Sequence, residues 1–171
     1  MLKNTLYTLS LTTLAFVLFA CPDDAAPEDD TTANQTTEKA ILGTWETVEI
    51  EVDYASYGGS DTTAHEIIRE ADFGRLYGAK PPRTVFTPDG KSKRTHRFKD
   101  GRVSDVVNGL WKVHNADTLL FIEPEKTLYF DYELTTDRLT LDGLTDADGD
   151  GAVDDRKRTV MRLVARTTYT N

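Results

Sequence analysis

The chain has 171 residues, with 29 acidic against 20 basic side chains, 39% hydrophobic content and a single cysteine. That length accommodates one modest core plus appendages and excludes two sizeable domains. A formal charge of −9 and a pI near 4.8 argue against general affinity for nucleic acid or anionic bilayers, which carry the same sign, and the lone cysteine excludes an intramolecular disulfide.

Residues 1–20 read as a signal peptide. Lys3 is the only charge before Cys21, and Leu6 to Ala20 is an apolar run too short for a comfortable transmembrane span of about 20 residues. The run ends Leu18-Phe19-Ala20-Cys21, which resembles the lipobox of bacterial lipoproteins. The resemblance implies cleavage before Cys21 and lipidation of its thiol, with a palmitate-bearing membrane anchor in the bacterial cell envelope. The outer membrane is the expected site, with the domain facing the periplasm or the surface.

Residues 21–40 follow as an expected disordered tether. Asp23, Asp24, Glu28, Asp29, Asp30 and Glu38 stand against Lys39 alone, with no aromatic or large aliphatic residue. Such a segment buries too little apolar surface to offset its chain entropy, and its charges repel.

From residue 41 to 171 the pattern changes to one all-β domain. Apolar residues alternate, β-branched and aromatic types are enriched, and Pro, Gly, Asn and Asp clusters interrupt every ~8 to 12 residues. Strands are expected near 44–54, 83–87, 92–99, 102–107, 109–114, 118–123, 127–135, 138–142 and 159–166. Within one of them, Leu128, Phe130, Tyr132 and Leu134 alternate with polar neighbours and should face the core. Thr87-Pro88-Asp89-Gly90 suits a type I turn, Asp100-Gly101 a tight hairpin and Asn108-Gly109 a turn or bulge. Between residues 61 and 78, Ala64, Ile67, Ile68 and Ala71 fall at helical spacing after Thr63-x-x-Glu66, which predicts a short helix or lid.

Leu42-Gly43-Thr44-Trp45, Phe86-Thr87-Pro88-Asp89-Gly90 and Gly109-Leu110-Trp111 occur in that order. This arrangement resembles the bacterial lipocalin-like lipoproteins, whose barrels often open L-x-G-x-W and later repeat an Asp-Gly turn and a G-x-W. The resemblance implies an antiparallel up-and-down barrel of about eight strands, with Trp45 plugging its floor. Another antiparallel barrel or a sandwich is the alternative. A barrel of this size either fills itself with side chains or holds one small ligand.

The strand around residue 94 bears on that choice. Lys80, Arg83, Lys91, Lys93, Arg94, Arg97, Lys99 and Arg102 face only Asp89 and Asp100. A two-residue period sets Arg94, His96 and Phe98 on one face. If that face is inward, Arg94 and His96 suit a carboxylate or phosphate head group, and Trp111 is expected on the cavity wall; otherwise the hairpin is an exposed edge blunted by lysines.

Asp146-Ala147-Asp148-Gly149-Asp150-Gly151-Ala152-Val153-Asp154-Asp155 carries alternate carboxylates and a glycine after the third, the spacing that wraps one hard cation. It resembles the start of EF-hand, dockerin and thrombospondin type 3 calcium loops. The resemblance implies Ca2+ held by Asp146, Asp148, Asp150, the Ala152 carbonyl and Asp154. Lys157 stands where an EF-hand has its bidentate glutamate, so a true EF-hand is not expected, and Asp155 is a candidate to supply the missing carboxylate. A solvated acidic turn is the simpler reading of the same residues.

Catalytic constellations do not emerge. His65, His96 and His114 lack metal-ligand spacing, and neither G-x-S-x-G nor H-E-x-x-H occurs. The expected function is binding of a small apolar or amphipathic molecule without enzymatic activity or nucleic acid. The alternative is a filled barrel acting as a surface interaction or envelope-structural module, and no protein partner is identifiable.

Overall fold

The computed structural model describes residues 30–167; the signal peptide, Cys21 and the tether up to residue 29 lie outside the described residues. It contains α1 (Asp30–Ile41), β1 (Gly43–Tyr54), β2 (Ala64–Arg69), α2 (Glu70–Leu76), β3 (Ala79–Phe86), β4 (Lys91–Phe98), β5 (Val103–Val113), β6 (Thr118–Glu123), β7 (Lys126–Leu134), β8 (Arg138–Thr145) and β9 (Asp155–Arg166). Each strand from β3 to β9 pairs antiparallel with the next, and β1 pairs with both β3 and β9. Eight strands therefore close into an up-and-down barrel, with β2 as a ninth strand on one edge of β1.

The seam between β1 and β3 follows from local sequence. The two strands pair only from Gly43 to Glu46 on β1, and from Glu49 onward that edge of β1 pairs with β2. Pro81 and Pro82 in β3 have no N–H to donate, and the β3–β4 register shifts across the same residues. Helix α2 fits this seam through the buried Phe73. Arg162 on β9 fastens it by reaching both Glu70 of α2 and Glu46 of β1.

At one end the floor is apolar. Ile41 and Trp45 are fully buried with Phe86, Leu119 and Leu139, each large side chain adding about 1.5–3 kcal/mol by leaving water. The Trp45 Nε1–H donates to the Ile41 carbonyl at 2.7 Å, and Glu38 accepts the Val113 N–H at 3.3 Å. These contacts dock α1 beneath the barrel, so residues 30–40, expected as the last part of the disordered tether, are helical together with Ile41. A helix this polar gains its stability from such tertiary anchors rather than from its own composition.

One other expectation is narrowed and one corrected: the short helix expected after the first long strand forms over Glu70–Leu76 only. The segment 61–78 forms β2 followed by a seven-residue helix, because the open edge of β1 offers Ala64–Arg69 strand partners and so overrides the helical spacing. The capping carboxylate is Asp72, which accepts the Arg69 N–H at 3.0 Å. Asn108-Gly109 lies inside continuous β5 in unbroken register with β4 rather than at a turn or bulge. Gly109 is needed there for close approach, since a Cβ would sit 2.7 Å from the Ile122 carbonyl oxygen.

The other turn expectations hold. Gly90 N–H donates to Thr87 O at 3.1 Å and Gly101 N–H to Phe98 O at 2.9 Å. Leu128 and Phe130 are buried, and Tyr132 and Leu134 pack against the same core.

Candidate functional site

A cavity of about 180 Å3 lies within the barrel, lined from β1, β3, β4, β6, β7, β8 and β9. Its apolar part comprises Phe86, Phe121, Leu128, Phe130, Leu141 and Met161, all buried core residues. Farther along the same strands, away from the Trp45 floor, the lining turns polar, with Arg94 and His96 from β4, Glu123 from β6 and Lys157 from β9. The period-2 alternation of each strand aims these groups inward.

The polar end is electrostatically uneven. Arg94 Nη2 donates to Glu123 Oε1 at 2.6 Å, reaching across β5, while Lys126 stands 4.0 Å from the other Glu123 oxygen. Burial pushes the Lys157 ammonium down to about 8, assisted by the nearby Arg94 and Lys126 charges and opposed by Glu123. Burial and then the Arg94 charge also lower His96 below the usual histidine range, which keeps its imidazole neutral at pH 7.

Arg94 and His96 face the lumen, one of the two placements that alternation leaves open, although Phe98, whose inward position was the condition for theirs, is exposed and stacks beneath the Arg102 guanidinium. Trp111 does not line the cavity. Its ring packs edge-on against Phe86 at 5.1 Å and its Nε1–H donates to Thr87 O at 3.3 Å, so the Phe86 ring occupies the wall position expected for it. No local sequence pattern marks Glu123 or Lys157 as facing the lumen, because their strands' inward faces are set only when the barrel closes.

The aspartate loop joins β8 to β9 and is sewn to the β1–β2 connection. Fully buried Asp155 accepts the Ala55 N–H at 3.2 Å and the Ala147 N–H at 2.8 Å. Asp148 accepts the Gly58 N–H, and Asp150 accepts the Ser56 hydroxyl at 3.1 Å. Within the loop, Asp146 accepts N–H groups from Gly149 and Gly151, and Asp150 accepts the one from Ala152.

Carboxylate oxygens of Asp146, Asp148 and Asp155 lie within 4.8 Å of one another. Asp150 faces Ser56 instead, and Asp154 is exposed, with its carboxyl held above its ordinary value by desolvation and then by Asp155. The converging set therefore replaces Asp150 and Asp154 with Asp155. Three converging carboxylates offer hard oxygen donors of the type Ca2+ takes, though fewer than its usual six to eight ligands.

No family model and no curated protein matches the chain. Among solved structures it is similar to the crystal structure of Rv2717c from M. tuberculosis, at 15% identity over 80% of this chain and 99% of that one, with a TM-score of 0.36. The barrel assignment rests on the closed strand pairing itself.

Proposed function

We propose that this chain is a lipid-anchored protein of the bacterial cell envelope whose lipocalin-like barrel binds one small apolar or amphipathic molecule, without catalysing a reaction. The observation that carries the binding reading is the 180 Å3 lumen, apolar toward the floor and polar beyond it. Its volume is below the ~300–1,000 Å3 of drug-sized pockets but comparable to the engineered cavity of about 150 Å3 that accepts benzene. The ligand is accordingly compact, and a retinoid or haem is too large for this lumen. The lipid anchor rests on Leu18-Phe19-Ala20-Cys21.

Native mass spectrometry of the full chain purified from cells tests binding: a small molecule retained at one per chain supports it. No retained molecule, together with no response to any small aliphatic or aromatic probe in solution, replaces it with the interaction-module alternative. Growth with labelled palmitate tests the anchor. Label is expected on the wild type and absent from Cys21→Ser; an unlabelled wild type overturns it.

A structural Ca2+ in the aspartate loop belongs to the same reading as a support for the barrel end, held by Asp146, Asp148 and Asp155. The convergence of those three carboxylates favours it.

A further inference from the structure

The polar end of the lumen carries one cation more than the protein neutralises. Arg94 and Glu123 satisfy each other at 2.6 Å, and His96 is kept neutral by burial and the Arg94 charge. Lys157 shares this lining, and among the described residues its ammonium makes no ion pair or hydrogen bond. On its own sheet it pairs with Val52 on β1 and Gly143 on β8, neither of which offers a charge. Arg94, Lys126 and Glu123 are the charged groups that act on it from elsewhere.

A half-buried cation that lines a lumen without a protein partner is costly, and binding sites tolerate that cost where a ligand supplies the counter-charge. The apolar rings beyond it leave room for a short tail only. We infer that the lumen selects a small monoanion, a carboxylate on a compact aliphatic or aromatic body of about seven to nine non-hydrogen atoms, and that Lys157 is the residue that recognises the charge.

This rests on the proposed binding role and adds the ligand class and its recognition residue. Arg94, the obvious anion partner from sequence, is already engaged by Glu123. Hydrogen bonds to charged groups and ion pairs strengthen in a low-dielectric lumen, so selectivity for the anion should be large relative to the total affinity of so small a ligand.

The test is an NMR titration of the full chain with hexanoate, 1-hexanol and hexylamine, which share a tail and differ in head-group charge. Hexanoate is expected to bind at least tenfold more tightly than hexanol, and hexylamine more weakly than either. Lys157→Met should remove the tenfold preference, bringing hexanoate affinity down to or below that of hexanol. Glu123→Gln, which frees Arg94 as a second cation in the same lining, should raise hexanoate affinity and provides an independent reading of the anion preference. Equal affinity for hexanoate and hexanol, or preference for hexylamine, overturns the monoanion inference while leaving the carrier reading intact. Binding of none of the three overturns both.

Discussion

Arg94 on β4 and Glu123 on β6 meet at 2.6 Å inside the barrel, with the Glu123 side chain only 9% exposed and the Arg94 side chain 36% exposed. The pair spans an intervening strand, so it ties three strands at the polar end of the lumen. Removing one member leaves the other desolvated and unpartnered, and Glu123→Gln should destabilise the fold by about 1–2 kcal/mol after allowance for the exposed part of Arg94. Arg94→Met with Glu123→Leu should recover most of that loss. Urea denaturation of the single and double variants measures both; a neutral Glu123→Gln shows the pair to be energetically idle.

Lys157 predicts a pH dependence of defined sign. Its ammonium ordinarily titrates near 10.5 and is lowered to about 8 in the fold, so between those values the unfolded chain keeps a proton that the folded chain has released. Stability contributed by this residue therefore rises as pH increases from about 8 to 10.5, and below pH 8 the cost of the buried charge is fully present. Lys157→Met should be more stable than wild type by about 1–3 kcal/mol at pH 7, with the gain shrinking toward pH 10. Comparing the two proteins at each pH removes the opposing contribution of Tyr54, whose phenol is raised to about 12 by burial and then by its hydrogen bond to Glu66. A gain independent of pH refutes the assignment.

The two tryptophans should separate stability from binding. Trp45 is fully buried and donates to the Ile41 carbonyl, so Trp45→Ala should cost about 3–5 kcal/mol and loosen α1, seen as faster amide exchange at Glu38 to Leu42. Trp111 lies behind Phe86 rather than on the cavity wall. Trp111→Phe should lower thermal stability yet change hexanoate affinity less than twofold. A tenfold loss of affinity would return Trp111 to the ligand site.

Neighbouring aspartates at the start of β9 should behave in opposite ways. Asp155→Ala leaves the Ala55 and Ala147 N–H groups without acceptors and should cost about 2–4 kcal/mol, whereas exposed Asp154→Ala should stay within about 0.5 kcal/mol. With Ca2+ at 10 times a dissociation constant on the order of 10⁻³ M, linkage adds roughly 1.4 kcal/mol, an upward shift of a few degrees in the melting temperature. Asp148→Asn should abolish that shift and Asp154→Asn should leave it. An unchanged wild-type melting temperature with Ca2+ rejects the structural cation.

Much of the fold was legible locally. Alternation along residues 127–135, the Asp-Gly turns and the G-x-W at Trp45 each depend on neighbours a few positions apart; strands joined by short turns left a barrel or a sandwich open, and closure through β1 decided for the barrel. That Arg94 and His96 share one face of their strand was also a two-residue-period inference, whereas the inward direction of that face was left open by the sequence. Other features depend on partners distant in sequence. The edge of β1 turns Ala64–Arg69 into a strand, contacts with the β1–β2 loop distinguish Asp155 from Asp154, and Gly109 is required by a carbonyl thirteen residues later.

The sequence by itself therefore determined the period of each strand, the turn chemistry and which side chains share a face. Tertiary closure through β1 and β9 decided which faces meet in the lumen. It brought Arg94, Glu123 and Lys157 from three strands to one end, engaged the first two with each other and left the third as the surplus charge. Charge balance in a low-dielectric space depends on distances between strands, and a linear pattern carries no measure of those distances.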